Sequence, residues 1–190
     1  MVQRGRTWLV VGFFLLVFAT STFAAWKPER PITIIVPWAA GGSTDQVTRV
    51  LASEMEGPLG QKIAVVNQPG GSGSIGHKGA WDAKHDGYTW TANADGSVVS
   101  YQVLGLLDSP SHRDWHHLYA IYTPSIIAVP AGSKVRTMAE LVAAFKARPG
   151  QVKLATAGIG SAGHAAAEAL KQVTGIEYKH IPYKGGYPAV

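Results

Sequence analysis

Residues 31 to 45, PITIIVPWAAGGSTD, constrain the fold more than any other stretch, because they read as a buried strand delivered directly into the start of a helix. Ile32, Ile34, Ile35 and Val36 are β-branched and apolar, the pattern of a strand covered on both faces in an α/β sheet. Pro37 ends the strand, Gly41 and Gly42 permit a tight backbone path, and Ser43 with Gln46 has the spacing of a capping box. Val47, Val50, Leu51 and Met55 then recur at helical spacing and predict one buried face. The N–H groups of a helix's first turn lack partners inside the helix, and the aligned peptide dipoles add partial positive charge there. The loop is therefore a candidate anion site that needs neither Lys nor Arg.

A second copy of this device occupies residues 152 to 164, VKLATAGIGSAGH. An apolar strand again runs through glycines, Gly158 and Gly160, to an N-cap candidate, Ser161, and into a helix. Two such helix starts facing each other across a cleft would grip a small dianion from both sides. Taken singly, each is equally well an ordinary strand-to-helix turn of an α/β fold.

Strands and helices alternate along the rest of the chain. Gly57 and Gly60 mark the end of the first helix, and residues 63 to 67 form the next short strand. The glycine-rich loop NQPGGSGSIG (67 to 76) leads into a short helix ending near Ala83, followed by a turn at Asp86-Gly87 and a strand over 88 to 93. Residues 97 to 106 read as helix and 107 to 117 as an irregular loop. Two strands, 118 to 122 and 126 to 129, are broken by Pro124, where a crossover between lobes is expected. Thr137 and Glu140 form a capping box, with Leu141, Val142 and Phe145 facing a core until Pro149-Gly150. A strand over 152 to 157, a helix over 162 to 173 with Gly175 as C-cap, and a strand over 178 to 181 follow. The alternation then stops at Val190, just after PYKGGYPAV, which reads as a truncated product or a partial sequence.

The first residues carry an address. A short basic segment, an apolar run over 8 to 19 and small residues at Thr22 and Ala24 form a secretory signal with cleavage expected after Ala24, an uncleaved anchor being the alternative. The formal charge of +5 includes Arg4 and Arg6 of that segment. What remains is too mild and too evenly spread for nucleic acid. The absence of cysteine removes disulfides, thiol catalysis and lipid attachment through Cys.

Three other motifs point elsewhere and are set aside. GSGSIG (71 to 76), with Asp95 about twenty residues on, matches a dinucleotide fingerprint, but residues 67 to 70 separate its first glycine from the preceding strand. Ser161 and His164 lack a nucleophile elbow, and an N-cap hydroxyl is occupied by backbone, so His164 is read as a helix-start residue touching the cap or a ligand. His112, His116 and His117 with Asp114 read as a solvated loop rather than a metal cluster. Trp38 stands beside the first loop, where an indole can pack on a ligand's carbon chain.

The motifs PWAAGGSTD, NQPGGSGSIG, DGYT (86 to 89), ATAGIGSAGH and PYKGG (182 to 186), in this order after a signal peptide, resemble the Bug or TctC-type periplasmic solute-binding receptors of tripartite tricarboxylate transporters. The resemblance covers residues 27 to 190. It implies a two-lobed, Venus-flytrap α/β fold of the periplasmic-binding-protein type. The signal peptide would be residues 1–24, the first lobe 25–124 and an incomplete second lobe 125–190. It further implies a small carboxylate ligand, a membrane permease as partner, no cofactor or metal, a monomer, and no catalysis. Carried over residue by residue, the first lobe would hold one carboxylate through Trp38, Ala39, Ala40, Gly41, Gly42, Ser43, Thr44 and Asp45, with Asn93 and Ser97 lining its wall. Ala157, Gly158, Gly160, Ser161 and His164 would hold the ligand from the second lobe, and Tyr183, Lys184, Gly185 and Gly186 would form a further pocket loop. Gln68 stands where the family usually has Arg, NADGS replaces a more Ser/Thr/Gly-rich stretch, and the C-terminal half is missing. A ligand sensor, a non-functional remnant and an exported enzyme on the same fold are the competing functions.

Overall fold

The computed structural model describes residues 26–107, 112–118, 120–121 and 125–190. The signal segment, Pro110 and the break at Pro124 lie outside the described residues. The first strand, β1 (Ile32–Val36), is the middle of a three-stranded parallel sheet. It pairs on one side with β2 (Ile63–Asn67) and on the other with β3 (Thr89–Thr91), so that Ile34 lies opposite both Val65 and Trp90. Parallel neighbours require a crossover. These are α1 (Ser43–Leu59) between β1 and β2, and α2 (Ser74–Trp81) between β2 and β3. A further helix, α3 (Asp95–Val103), follows β3.

Ile32, Ile34, Ala52 and Ile63 form the core of this unit, with Met55, Leu59, Val65 and Trp90 packed against it. Each fully buried Ile stabilises the unit by roughly 1.5–3 kcal/mol. The sequence pattern was right about the strand and partly wrong about the helix. Val50 is exposed, and the buried positions of α1 are Asp45, Thr48 and Ala52. The stripe includes polar residues because the start of α1 lies against the loop that precedes it. The helix also continues through Gly57 and Pro58 and closes at Gly60, so Gly57 is no stop.

The second unit has its own core. After α4 (Met138–Ala147), the strand β4 (Lys153–Thr156) pairs in parallel with β5 (Lys179–Pro182), and α5 (Ala162–Thr174) crosses between them. Leu141, Phe145 and Ile176 are buried together, with Val152, Leu154, Leu170 and Tyr178 around them. The expected capping box is present: Glu140 N–H donates to Thr137 Oγ1 at 3.2 Å, and Thr137 N–H donates to Glu140 Oε2 at 3.1 Å. Gly175 is the C-cap of α5, as its position after the last apolar residue predicts.

Two further expectations fail. The described residues of 118–122 and 126–129 form no strand, and Leu118, Ile121, Ile126 and Ile127 are exposed. Apolar, β-branched composition makes a segment able to pair, but a strand exists only where an edge accepts it. Among the described residues none does. The second failure concerns the cap of α1. Gly42, in extended conformation, is the N-cap with no side-chain bond, so Ser43 already lies inside the helix and makes no capping box. Instead Asp45 Oδ2 accepts the N–H of Gly41 at 2.8 Å, and Gln46 Nε2 donates to Gly41 O at 2.7 Å.

Candidate functional site

The loop from β1 into α1 is held in shape by a buried carboxylate. Asp45 is only 3% exposed. Besides Gly41, its oxygens accept from Asn67 Nδ2 at 2.9 Å and from Arg49 Nε at 3.2 Å, and Arg49 Nη2 lies 2.9 Å from Oδ1. Asn67 Nδ2 also reaches Trp38 O at 3.1 Å, which ties the end of β2 to the loop. Burial by itself pushes this carboxyl up, but the hydrogen bonds from Arg49, Gly41 and Asn67, with the Arg49 charge, outweigh it and hold Asp45 below the usual carboxylate range. Asp45 thus shapes the loop from inside. Ser43 and Thr44 stand at the head of α1, where a helix supplies no acceptor for N–H groups.

Trp38 is enclosed rather than open, at 6% exposure. Its Nε1 donates to Asn93 Oδ1 at 3.1 Å, and its ring lies about where a side chain at Gly73 would stand, 3.0 Å from that position. Asn93 in turn donates to Tyr101 OH at 2.9 Å. Burial, offset in part by that bond, pushes the Tyr101 hydroxyl up to about 12. Trp38 and Asn93 therefore brace the wall behind the loop. Ser97 is 1% exposed and its hydroxyl has no hydrogen-bond partner among the described residues.

The second loop, residues 157 to 161, leads from β4 into α5. Ser161 is its N-cap, and its Oγ accepts the N–H of His164 at 3.3 Å. The N–H of Gly160 donates to His164 Nδ1 at 3.0 Å, so the histidine touches the loop as its position predicts. Gly160 has φ +79, a left-handed conformation that costs other residues about 1–2 kcal/mol.

The loops from the two units meet directly. Ser100 Oγ, on α3, donates to Gly160 O at 2.8 Å. A side chain at Gly158 would stand 2.8 Å from Ser72 Oγ and 3.2 Å from Tyr183 O. The N–H of Ala39 donates to Lys184 O at 3.0 Å, with Gly185 packed against the same residue. Tyr187 lays its ring 3.7 Å from the position a Gly41 side chain would take.

Of the residues singled out from sequence, Ala39, Gly41, Gly158, Gly160, Tyr183, Lys184 and Gly185 are brought into this junction. Ser161 and His164 support the second loop, whereas Trp38, Asp45 and Asn93 support the first from within. Ala40, Ser43 and Gly186 are exposed, Thr44 and Ala157 are half-buried, and Gly42 is buried. Sequence reading passed over Ser72, Ser100 and Tyr187. Only Ser100 carried a signal, since it follows Ser97 by three residues and shares its helical face.

A sequence model of the family described as tripartite tricarboxylate transporter family receptor, TctC, matches residues 47–190. A UPF0065 protein in the tcbD-tcbE intergenic region of Pseudomonas sp. strain P51 is 34% identical over 100% of this chain and 58% of its own length. Protein BugT of Bordetella pertussis is 34% identical over 97% of this chain and 58% of its own. The chain thus spans 58% of the length of each of these relatives. The structure of the periplasmic binding protein BugD superposes with a TM-score of 0.66 at 31% identity, covering 85% of this chain and 55% of that one. Rpa4515 of R. palustris with adipate superposes with a TM-score of 0.67 at 26% identity over the same shares.

Proposed function

Since the chain belongs to the tripartite tricarboxylate transporter receptor family, we propose that it is a periplasmic solute receptor that captures a small carboxylate between its two units. Residues 25–124 would form the first lobe and 125–190 part of the second, with a cleavable signal at 1–24. The carboxylate would be passed to the membrane permease of a tripartite transport system, by a monomer that needs no cofactor and performs no chemistry. Adipate, present with one structural neighbour, supports a small carboxylate as the ligand class.

The observation that carries this reading is the junction itself. The loop that opens α5 is bonded to the first unit through Gly160 and Ser100 of α3, and the loop at Lys184 closes on Ala39 of the loop that opens α1. Main-chain N–H groups at helix starts are neutral donors. They offset the desolvation of a carboxylate while leaving its binding reversible. Ala40, Gly42, Ser43 and Thr44, with the loop from Lys184 to Gly186, would supply the donors. Ala39, Gly41, Gly158, Gly160 and Tyr183, whose N–H groups are bonded to Lys184, Asp45, Thr156 and His164, would shape the loops, and Trp38, Asp45, Asn93, Ser161 and His164 would hold them in place. Ala157 belongs to the second loop's entry. Ser97 adds a buried hydroxyl whose missing partner costs about 1–3 kcal/mol, which a ligand oxygen would recover.

Calorimetry on the purified chain with adipate, malate, succinate, citrate and a monocarboxylate tests this. Saturable binding of at least one dicarboxylate, weakened by bulky substitution at Gly42 or Gly160, is expected. Uniform silence across the panel would overturn it.

A further inference from the structure

His180 has no part in the site so far, yet its ring lies flat on that of His164, with centroids 4.3 Å apart and planes within 6°. The two come from different elements, β5 and the first turn of α5. Each ring holds one glycine of the second loop. His164 Nδ1 accepts the N–H of Gly160 at 3.0 Å. His180 Nε2 is 2.7 Å from Thr156 Oγ1, and that hydroxyl accepts the N–H of Gly158 at 3.2 Å.

A ring nitrogen that accepts an N–H carries no proton, so the Gly160 bond requires the Nε2–H tautomer of a neutral His164. A proton on Nδ1 turns that acceptor into a donor, releases the Gly160 N–H and places positive charge beside the loop. Both changes favour a carboxylate there. Two stacked imidazolium rings would repel, so the pair takes up one proton and not two.

The charged and titratable groups around the pair are few. Glu168 Oε1 lies 3.8 Å from His164 Nε2 and accepts from Tyr178 OH at 2.6 Å. Lys171, beyond Glu168 on α5, is paired with Glu177 at 2.9 Å. From the first unit the uncharged Ser100 and Leu104 approach Gly160. Burial and the neighbouring His164 ring, opposed by Glu168, keep His180 below its ordinary range.

We infer that the stacked histidines are a proton-linked clamp on the second ligand loop. When both are neutral they hold Gly160 and Gly158, and a single proton on His164 Nδ1 frees the Gly160 N–H to donate to the ligand's carboxylate. This rests on the carboxylate-receptor reading above and adds His180 and Thr156 as positioning residues, which set the loop without touching ligand.

Adipate binding by the full chain, measured calorimetrically between pH 6 and 8.5 in buffers of differing ionisation enthalpy, tests the clamp. The affinity is expected to weaken as pH rises, by up to about tenfold per pH unit, with up to about one proton taken up on binding. His164→Gln should abolish the proton uptake, and His180→Gln should shift the pH profile. A merely structural His180 would lower stability and leave that profile in place. Binding that is indifferent to pH and takes up no proton would overturn the clamp while leaving the receptor intact. No adipate binding at any pH would count against ligand capture itself. The clamp is then read on the ligand-free chain by NMR, where the Gly160 amide should move in step with protonation of His164 Nδ1. An amide that does not follow overturns the inference.

Discussion

Ser100 Oγ donates to the carbonyl of Gly160 at 2.8 Å across 60 residues of chain, joining the helix after β3 to the loop after β4. The contact is local in consequence and long-range in sequence. Leu104, one turn further along the same face, sits where a side chain at Gly160 would have to go. The first unit therefore constrains the second loop both by a bond and by shape.

Removing that bond should cost the junction a measurable amount. Ser100→Ala is expected to lower stability by about 1 kcal/mol, the net worth of a typical hydrogen bond. In a chain of this size that is a fall in Tm of about 2–4 °C, read by scanning calorimetry. An unchanged Tm would mean that the two units do not support each other through this contact.

Gly76 and Gly57 make a paired test of space. A side chain at Gly76, in α2, would stand 2.7 Å from Gln68 O and 2.9 Å from Pro37 Cα, and neither is a flexible atom. Gly76→Ala should force α2 off the end of β1 and destabilise by about 1–3 kcal/mol. At Gly57, in the last turns of α1, nothing beyond its chain neighbours lies within 4 Å, but the next residue is Pro58. Gly57→Ala should change stability by less than about 1 kcal/mol, because the gain in helix propensity and in unfolded-state entropy is opposed by the new Cβ meeting the proline ring. Chemical denaturation of the two variants against the parent checks both magnitudes. A loss at Gly57 as large as that at Gly76 would sink the packing argument.

The contrast shows what sequence reading can reach. The strand at Ile32 to Val36, the capping box at Thr137 and Glu140 and the cap at Ser161 depend on residues close in sequence, and the structure has all three. The loop beginning α1 depends on Asn67 and Arg49 as much as on its own residues, so Ser43 looked like a cap and Asp45 does the holding. Likewise, Ile126 and Ile127 have strand composition, but pairing is decided by a partner edge that local pattern cannot supply. The candidate site divides in the same way. Its glycines and helix starts were visible as motifs, whereas Ser72, Ser100 and the stacking of His180 on His164 follow only from how the two units meet.

Asp45 should be felt at low pH. Its folded carboxyl is held below the usual range, so its contribution is fully present above the unfolded value and is lost as pH falls through the folded one. The window therefore lies below pH 3.8, the ordinary value of this carboxyl. Asp45→Ala strands Gly41 N–H, Asn67 and Arg49 together, and is expected to cost roughly 2–4 kcal/mol at neutral pH. Asp45→Asn keeps the shape, loses the charge and should flatten the stability curve in that acid window. Urea titrations at several pH values would show it, and parallel curves for the parent and the Asn variant would refute the assignment.

His77 acts in a different window, with the same sign by a different route. It is 2% exposed, its ring lies 4.4 Å from that of Trp115 and 5.3 Å from that of Tyr101, and Asn93 offers only a long contact at 3.5 Å. Burial, with repulsion from His117 added, pushes its imidazole down from 6.5 to about 4. Between those values the unfolded chain binds a proton that the folded chain refuses. Stability therefore falls as pH drops from about 6.5 toward 4 and is regained as pH rises through the same interval. The loss amounts to roughly 2–4 kcal/mol, since one pKa unit corresponds to about 1.4 kcal/mol. His77→Phe keeps a ring against Trp115 and removes the titrating group, so its stability should fall less than the parent's between pH 7 and 4.5. Denaturant midpoints at half-unit steps of pH, followed by tryptophan fluorescence, measure the difference. Equal slopes for parent and variant would move the acid sensitivity to another histidine, with the His164 and His180 pair the next to be replaced.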